Sequence, residues 1–203
     1  MTGAGTTPSP SQRLYSKVSR TDRARQKGQE PCVIWFTGLS GAGKSTTAIA
    51  LERRLVEHGR HTYLLDGDEL REGLSSDLSF DDTGRSENIR RLGEVARLFT
   101  EAGLIVIAAF ISPFRLERDQ ARKLIPEGKF VEVYVETPLA VCEQRDPKKL
   151  YQRARQGEIN NFTGIDSRYE APETPEVTIN TASLSTEQAV DAIMSYLHEG
   201  GIL

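Results

Sequence analysis

The 203-residue sequence has no long apolar run. Its longest stretch of apolar side chains covers residues 104–111, far fewer than the roughly 20 residues that a membrane-spanning helix needs. The N-terminal residues also lack the apolar core of a signal peptide. We therefore expect a cytoplasmic protein with no membrane partner.

Positive charge is not in excess either. The chain has 26 lysines and arginines against 29 acidic residues, for a net charge of -3. Because a nucleic-acid-binding surface needs a basic excess, we expect no nucleic-acid partner. An anionic ligand would have to be bound by local clusters of cations.

Cysteine and histidine are rare. Cys32 and Cys142 fall in an apolar strand and a helical stretch, which favours two small buried side chains in a reducing compartment over a redox-sensing pair. His58, His61 and His198 form no metal-ligand pattern. The guanine-reading sequence Asn-Lys-x-Asp is absent, which argues against a GTPase switch.

The sequence does contain the phosphate-binding pattern G-x-x-x-x-G-K-[ST]. It consists of Gly38, Leu39, Ser40, Gly41, Ala42, Gly43, Lys44 and Ser45. An apolar strand at 32–36 precedes it and a helix at 45–60 follows, as such a loop requires. Lys44 then reaches the β- and γ-phosphates of a nucleotide, and the Ser45 hydroxyl suits Mg2+. The alternative is a glycine-rich turn without a ligand, which needs neither side chain.

Apolar segments alternate with helical patterns along the chain. We predict strands at residues 32–36, 61–65, 104–110, 129–136 and 176–180. This alternation predicts an α/β fold of the P-loop NTPase type, a three-layer α/β/α arrangement around a central, mainly parallel five-stranded sheet.

The domain organisation follows from composition. Residues 1–30 are polar and predicted to be a flexible segment, although the cations at 20–27 could instead fold over an anionic ligand. Residues 31–203 are predicted to form a single kinase domain with a helical lid at about 147–168. The alternative for the basic stretch 148–156 within that lid is a solvated face.

Two acidic residues, Asp66 and Asp68, follow the second strand and are separated by Gly67. Because ligands of open parallel sheets bind at the carboxyl ends of strands, both carboxylates are expected to face the phosphate loop. Gly67 would allow a tight turn, with one carboxylate near a metal-bound water and the other near an attacking hydroxyl. Which aspartate takes which role stays open, and the alternative is an ordinary Asp-Gly turn.

Further candidates lie in segments without a clear hydrophobic period. Residues 69–88 predict an excursion over the site, in which Arg71 and Arg85 suit a phosphate or sulfate. Phe80 has little core to join there, but it could simply fix its own loop. Ser112, after the third strand, could contact a ligand, cap the next helix or act as a nucleophile; no nearby histidine favours the last role. Phe162 lies in a turn-rich segment and is expected to be exposed.

The residues alone indicate a P-loop phosphotransferase with a small anionic acceptor. Five motifs, in addition, resemble those of the adenylyl-sulfate kinase family. They are FTGLSGAGKST at 36–46, LDGD at 65–68, RSENIRR at 85–91, FISP at 110–113 and GEINNFTGIDS at 157–167. The resemblance covers roughly residues 18–200. It implies phosphorylation of the 3'-hydroxyl of adenosine 5'-phosphosulfate (APS) by ATP, giving 3'-phosphoadenylyl sulfate and ADP in sulfate assimilation. It also implies a homodimer.

The resemblance implies individual roles. Phe80 and Phe162 would clamp the adenine of APS. The other residues implied to bind APS are Asp68, Arg71, Arg85, Asn88, Ile111, Ser112, Lys148 and Asn161. Those implied to bind ATP are the phosphate-loop residues together with Thr46, Arg145 and Leu184. The candidate catalytic residues are Lys44, Asp66, Asp68 and Ser112, with Asp68 our candidate for the 3'-hydroxyl proton and Ser112 interpreted as a binding residue. We expect Mg2+ as cofactor, held by Ser45 and, through water, by Asp66 or Asp68.

Three positions depart from the family pattern. Ser79 and Asn161 replace usual glycines, and Phe114 replaces a usual tyrosine, each beside a substrate contact. One rival interpretation is another small P-loop kinase that acts on a nucleoside or a sugar acid. The other is a nucleotide-dependent regulatory protein without turnover, against which the intact Lys44 and Ser45 argue.

Overall fold

The computed structural model describes residues 18–203. Its helices are α1 Arg20–Lys27, α2 Lys44–Glu57, α3 Gly67–Glu72, α4 Asp82–Glu101, α5 Arg115–Lys123, α6 Leu139–Arg145, α7 Leu150–Arg155 and α8 Thr186–Glu199. Its strands are β1 Val33–Thr37, β2 Thr62–Asp66, β3 Ile105–Ala109, β4 Phe130–Val135 and β5 Val177–Ile179.

The five strands form one sheet in the order β2-β3-β1-β4-β5, and every neighbouring pair is parallel. The central strand β1 pairs on both sides, with Val33 opposite Val106 of β3 and opposite Phe130 of β4. Because all strands run the same way, their carboxyl ends meet at one edge, where the loops after β1, β2 and β3 come together.

Side chains of β1 alternate between two hydrophobic clusters. Ile34 and Phe36 join the cluster formed with α2 and α8, whereas Val33 and Trp35 join the one formed with α4 and α5. All five residues of β1 and of β3 are buried, as expected of central parallel strands covered by helices on both faces. The predicted three-layer α/β/α fold is thereby confirmed.

The N-terminal segment differs from the prediction, because residues 20–27 form helix α1 rather than a flexible stretch. Ser19 and Asp22 make a reciprocal capping box at its start, and Gly28 ends it in the left-handed conformation. The buried Gln29 then anchors the chain. Its amide donates to two backbone carbonyls at 2.9 Å and accepts from the His61 N–H at 2.8 Å. Residues 1–17 of the predicted flexible segment lie outside the described residues.

Helix α4 starts earlier than the hydrophobic pattern suggested. Asp81 caps it by accepting from the Gly84 N–H at 2.8 Å, so Arg85 and Asn88 lie on a helix and not in an irregular excursion. The predicted lid region contains α7, whose first N–H groups bond to the Asp146 carboxylate. In residues 18–203 we find no helix with the length and apolarity that a bilayer crossing requires.

Candidate active site

A cavity of about 1000 Å³ opens where the carboxyl ends of the strands meet. The predicted site residues that line it are Ser40, Gly41, Gly43, Lys44, Ser45, Thr46, Asp66, Asp68, Arg71, Phe80, Arg85, Asn88, Ile111, Ser112, Arg145, Lys148, Phe162 and Leu184. Four predicted residues do not line it, namely Gly38, Leu39, Ala42 and Asn161. The phosphate loop, the segment after β2 and residues of the predicted lid thus line one space.

The phosphate loop depends on glycine at several positions. Gly41 has φ 72° and Gly43 has φ 100°, conformations that side chains rarely adopt. A Cβ at Gly38 would lie 2.7 Å from the carbonyl oxygen of Val135, so β4 approaches the loop too closely for any side chain. These features fit a loop whose N–H groups turn toward a phosphate.

Lys44 lies within the same loop. Its ammonium Nζ donates to the carbonyl oxygen of Leu39 at 2.7 Å. The residue is only 8% exposed, and this burial lowers the pKa of Lys44 from 10.5 to about 8. A cation with so little solvation gains more from an anionic phosphate than an exposed lysine would.

The two acidic residues at the carboxyl end of β2 occupy different surroundings. Asp66 accepts from the Ser45 hydroxyl at 2.8 Å and also caps α3, because its Oδ1 accepts from the Asp68 N–H at 3.0 Å. Gly67 therefore opens a helix, and the predicted tight turn is wrong. A side chain at Gly67 would crowd the ring of Phe110, whose Cδ1 would lie 3.0 Å from a Cβ. Asp66 is thus bonded to the phosphate-loop helix, whereas Asp68 lies one residue further on.

The pair of Ser45 and Asp66 fits a hard divalent cation. A hydroxyl and a carboxylate are the oxygen ligands that Mg2+ takes from proteins when phosphates and waters supply the others. Within residues 18–203 no group of three or more His, Cys, Asp or Glu side chains could hold a metal. The donor set therefore suits a metal that arrives with a nucleotide.

Asp68 contacts the segment that precedes α7. The ammonium Nζ of Lys148, two residues before α7, forms an ion pair with Asp68 Oδ2. Both side chains are more than half exposed, so water and salt weaken their attraction. An incoming hydroxyl could therefore replace the lysine beside Asp68 at small cost.

Phe80 is an exposed aromatic, with 68% of its surface accessible. The guanidinium carbon of Arg71 lies 4.5 Å from the centre of its ring. Arg71 also donates to the carbonyl oxygens of Leu78 and Ser79 at 3.2 and 2.9 Å. Arg71 therefore fixes the loop that carries Phe80, in addition to lining the cavity.

Helix α4 holds this loop at two more points. Arg91 donates to Asp77 at 2.6 Å and to the carbonyl oxygen of Leu74 at 2.9 Å. At the other end, a Cβ on Gly84 would overlap the carbonyl of Ser79. The position of Phe80 is consequently set by helix α4, although the residue itself lies in a loop.

Arg85 and Asn88 approach the cavity from α4. Arg85 donates to the hydroxyls of Thr163 and Ser167 at 3.0 and 3.3 Å and to the carbonyl of Asn161, so it holds the lid loop as well. The buried Oδ1 of Asn88 has no hydrogen-bond partner among the described residues. It is an acceptor ready for a donor on a ligand.

Phe162 is buried, contrary to the expectation of an exposed ring, with 6% of its surface accessible. Its ring lies edge-on to Tyr151, with centroids 5.0 Å apart. Asp166 accepts from the N–H groups of Phe162 and Asn161 at 2.5 and 2.6 Å, which fixes the turn. The expectation was wrong because the ring packs against Tyr151, which lies in α7 and not in the turn.

Ser112 is buried in the wall of the cavity, with an unusual φ of 38°. Its Oγ accepts from Trp35 Nε1 at 3.1 Å. Helix α5 has Phe114 at its N-cap and no side-chain cap bond, so helix capping, one of the three alternatives for Ser112, is ruled out. Within the described chain its hydroxyl bonds to no carboxylate or histidine, and strain of this kind is typical of ligand-binding positions.

Arg145 lies beside the phosphate loop. Its guanidinium donates to the side chain and carbonyl of Thr181 at 2.8 and 2.7 Å, and Thr181 in turn donates to the carbonyl of Ala42 at 2.7 Å. Leu184, which follows β5 in the chain, lines the same cavity. Thr181 was missed by sequence reasoning, although a polar residue just after a strand was a usable signal.

Two buried side chains around the site were also missed. Tyr151 donates to the carbonyl oxygen of Ser40 at 2.9 Å, and Arg118 donates to that of Ser112 at 2.7 Å. Both residues lie in helices that read as charged and exposed from sequence. Only the packing of distant segments reveals them.

Comparison with known proteins supports a specific family. The family model described as "Adenylylsulphate kinase" matches residues 30–180. The adenylyl-sulfate kinase of Aeromonas hydrophila is 62% identical over 180 residues, which are 89% of this chain and 91% of that protein.

Two solved structures are similar as well. The Mycobacterium tuberculosis APS kinase CysC in complex with AMPPNP and APS is 44% identical, with a TM-score of 0.80, covering 84% of this chain and 99% of that one. The hexameric APS kinase from Thiobacillus denitrificans is 38% identical, with a TM-score of 0.66, covering 90% of this chain and 32% of that one.

Proposed function

The chain belongs to the adenylylsulphate kinase family, and we propose that it transfers the γ-phosphate of ATP to the 3'-hydroxyl of APS, giving 3'-phosphoadenylyl sulfate and ADP in sulfate assimilation. One observation carries this proposal. A single cavity joins a phosphate loop to a second region with an exposed aromatic, two arginines and an orphaned amide oxygen. The domain would span residues 31–203, with its lid at about 147–168.

On the donor side, the phosphate loop would bind the β- and γ-phosphates. Lys44 would leave the carbonyl of Leu39 for a phosphate oxygen, a better partner for a poorly solvated ammonium. Arg145 and Leu184 would border the adenine of ATP, a role supported by the fixed guanidinium of Arg145.

Magnesium is the proposed cofactor. Ser45 and Asp66 would hold it, the aspartate through water, and when bound it supplies charge neutralisation for the transferring phosphoryl group. Of the two aspartates, Asp66 is proposed for this role because its carboxylate already accepts from the Ser45 hydroxyl at 2.8 Å. The test is turnover after chelation with EDTA, where we expect complete loss and full recovery on adding excess Mg2+.

On the acceptor side, Phe80 and Phe162 would hold the adenine of APS. Phe80 presents an exposed ring, and base stacking on an aromatic is worth about 1 to 3 kcal/mol. The anion and ribose would be bound by Arg71, Arg85 and Asn88. Ile111 and Ser112 would form the wall of this pocket, and Asn161 would contribute through its backbone.

For the transfer itself, Asp68 would accept or orient the proton of the 3'-hydroxyl, and Asp66 would act as the supporting acid. Lys148 would then move from Asp68 to the transferring phosphate as the lid closes. The oxygen of the 3'-hydroxyl attacks the γ-phosphorus in line, and ADP leaves. Ser112 would remain a binding residue, because direct transfer needs no phosphoserine.

We also propose a homodimer in the cytoplasm. The thiols of Cys32 and Cys142 are free and buried, which suits a reducing compartment, and the Thiobacillus denitrificans APS kinase shows that a relative assembles. Light scattering after gel filtration tests the assembly, with twice the chain mass of 22.5 kDa expected.

The central experiment mixes purified protein with MgATP and APS and separates the products by chromatography. We expect 3'-phosphoadenylyl sulfate from APS, and no product from adenosine 5'-monophosphate as control acceptor. Lys44→Ala is expected to abolish turnover, whereas Lys123→Ala, an exposed lysine of α5, leaves it intact. Product from another acceptor alone would overturn the assignment, and retained activity in Lys44→Ala would overturn the site.

A further inference from the structure

Tyr151 bridges two parts of the cavity that would hold different substrates. Its hydroxyl donates to the carbonyl oxygen of Ser40 in the phosphate loop at 2.9 Å. Its ring contacts Phe162 edge-on, with centroids 5.0 Å apart. One side chain of the lid helix α7 therefore touches the phosphate loop at one end and the acceptor aromatic along its side.

A second contact joins the same two segments. Gly164, two residues after Phe162, has φ 94°, and a Cβ there would lie 3.1 Å from Leu39 Cδ2. The loop that carries Phe162 therefore lies directly on a phosphate-loop side chain. The carbonyl oxygen of Leu39 also accepts a hydrogen bond from the Lys44 ammonium. Leu39 would therefore release Lys44 to a bound phosphate, and its side chain supports the loop that carries Phe162.

The Tyr151 side chain is held rigidly, and its hydroxyl keeps its proton. Tyr151 is only 2% exposed, and burial raises its pKa well above the usual range, so the hydroxyl stays a donor throughout the working pH range. The Asp146 carboxylate accepts from the Tyr151 backbone N–H at 3.1 Å and fixes the start of α7. A movement of the Ser40 carbonyl is therefore transmitted to the ring and not absorbed by a loose helix.

We propose that Tyr151 is a positioning residue that couples the two substrate sites, so that a nucleotide in the phosphate loop tightens the binding of APS against Phe162. Any such coupling is reciprocal, so APS tightens nucleotide binding by the same factor. This inference rests on the proposed function. It adds a residue whose hydroxyl touches neither substrate but whose loss changes how each affects the other.

The test measures APS affinity by calorimetry with Mg2+ present, with and without the non-hydrolysable nucleotide AMPPNP. In the unmodified protein we expect APS to bind at least about 5-fold more tightly when AMPPNP is present, which lies within the range typical of coupled sites. In Tyr151→Phe this ratio is expected to fall toward one, while APS affinity without nucleotide stays within about twofold. Tyr196→Phe, a half-buried tyrosine of α8, is the matched control and keeps the ratio.

The outcomes separate the two proposals. No APS binding by the unmodified protein would overturn the proposed function together with this inference. Binding of both ligands with an unchanged ratio in Tyr151→Phe, or equal weakening in both states, would overturn the inference alone. Leu39→Ala removes the second contact without altering Tyr151. A ratio that falls to one in Leu39→Ala while Tyr151→Phe keeps it would assign the coupling to Leu39 and overturn the role of Tyr151.

Discussion

Arg118 donates from its guanidinium to the carbonyl oxygen of Ser112 at 2.7 Å, so a buried cation holds the backbone of a residue in the cavity wall. The same guanidinium binds Glu132 at 2.7 Å and the carbonyl of Glu170 at 2.7 Å. Ser112 has φ 38°, a conformation that persists only where neighbours enforce it. The wall of the site is thus fixed from behind by an ion pair inside the protein.

Arg118→Met is expected to lower the free energy of unfolding by about 3 to 5 kcal/mol. The change removes the shorter of the two ion pairs of the buried Glu132 and leaves it only Arg122, 3.3 Å away. It also removes two donors to backbone carbonyls. Urea denaturation measures the effect. The matched variant Arg53→Met breaks an exposed pair with Glu57 and is expected to cost under about 1 kcal/mol. Similar losses in both variants would contradict the role of burial.

Nucleotide binding is expected to take up a proton above pH 8. Burial lowers the pKa of Lys44 to about 8, and a bound phosphate raises it again. ATP affinity is therefore full below about pH 7.5 and falls about tenfold per pH unit above 8, where the free protein has lost the proton. Calorimetry at pH 8.5 in buffers of different ionisation enthalpy measures the uptake.

The control for this proton uptake is Lys44→Arg, because arginine stays protonated throughout this range. Its binding, even if weak, is expected to show no dependence on the ionisation enthalpy of the buffer. If the arginine variant takes up the same fraction of a proton, the titrating group lies elsewhere.

Phe80→Ala is expected to weaken APS binding about 5- to 150-fold, the loss of one stacking contact worth roughly 1 to 3 kcal/mol. ATP affinity is expected to change by less than about twofold, because the phosphate loop is untouched. Leu116→Ala removes a similarly exposed apolar side chain of α5 and provides the comparison. Fluorescence or calorimetric titration with each ligand checks this, and an equal loss for both would place Phe80 outside the acceptor pocket.

Asn161→Gly is expected to preserve stability within about 0.5 kcal/mol, whereas Asn161→Ala lowers it by about 1 to 2 kcal/mol. Asn161 has φ 58°, which asparagine tolerates, glycine prefers and alanine resists. This explains why asparagine can replace the usual glycine there. Thermal unfolding of the two variants measures the difference, with Asn160→Ala, at ordinary φ, as control.

The sequence predicted what local patterns determine. The run of apolar residues before the phosphate loop predicted β1, and the glycines with Lys44 and Ser45 predicted the loop itself, because each needs only neighbours along the chain. The position of Asp66 beside the phosphate loop, at the carboxyl end of β2, likewise followed from the rule that parallel strands end at a common edge.

What could not be predicted depends on segments that meet only after folding. Phe162 was predicted to be exposed because its contact with Tyr151 forms only in the folded chain. Gly67 was predicted to lie in a tight turn, whereas the Asp66 side chain caps a helix that begins there. Helix α1 lies where a flexible segment was predicted, and its attachment depends on Gln29 reaching the carbonyls of His61 and Gly103. Such contacts have no signature in a single sequence.

The strand order has a consequence for how the protein is made. β1 lies at the centre of the sheet, yet its partners Val106 and Phe130 are synthesised long after Val33. The phosphate loop therefore emerges from the ribosome well before either neighbour exists to support it, and long-range parallel pairing of this kind is slow. Until β4 is complete, the nascent chain carries the sequence of a nucleotide site without its architecture, and the apolar β1 segment lacks the two strands that flank it in the folded protein.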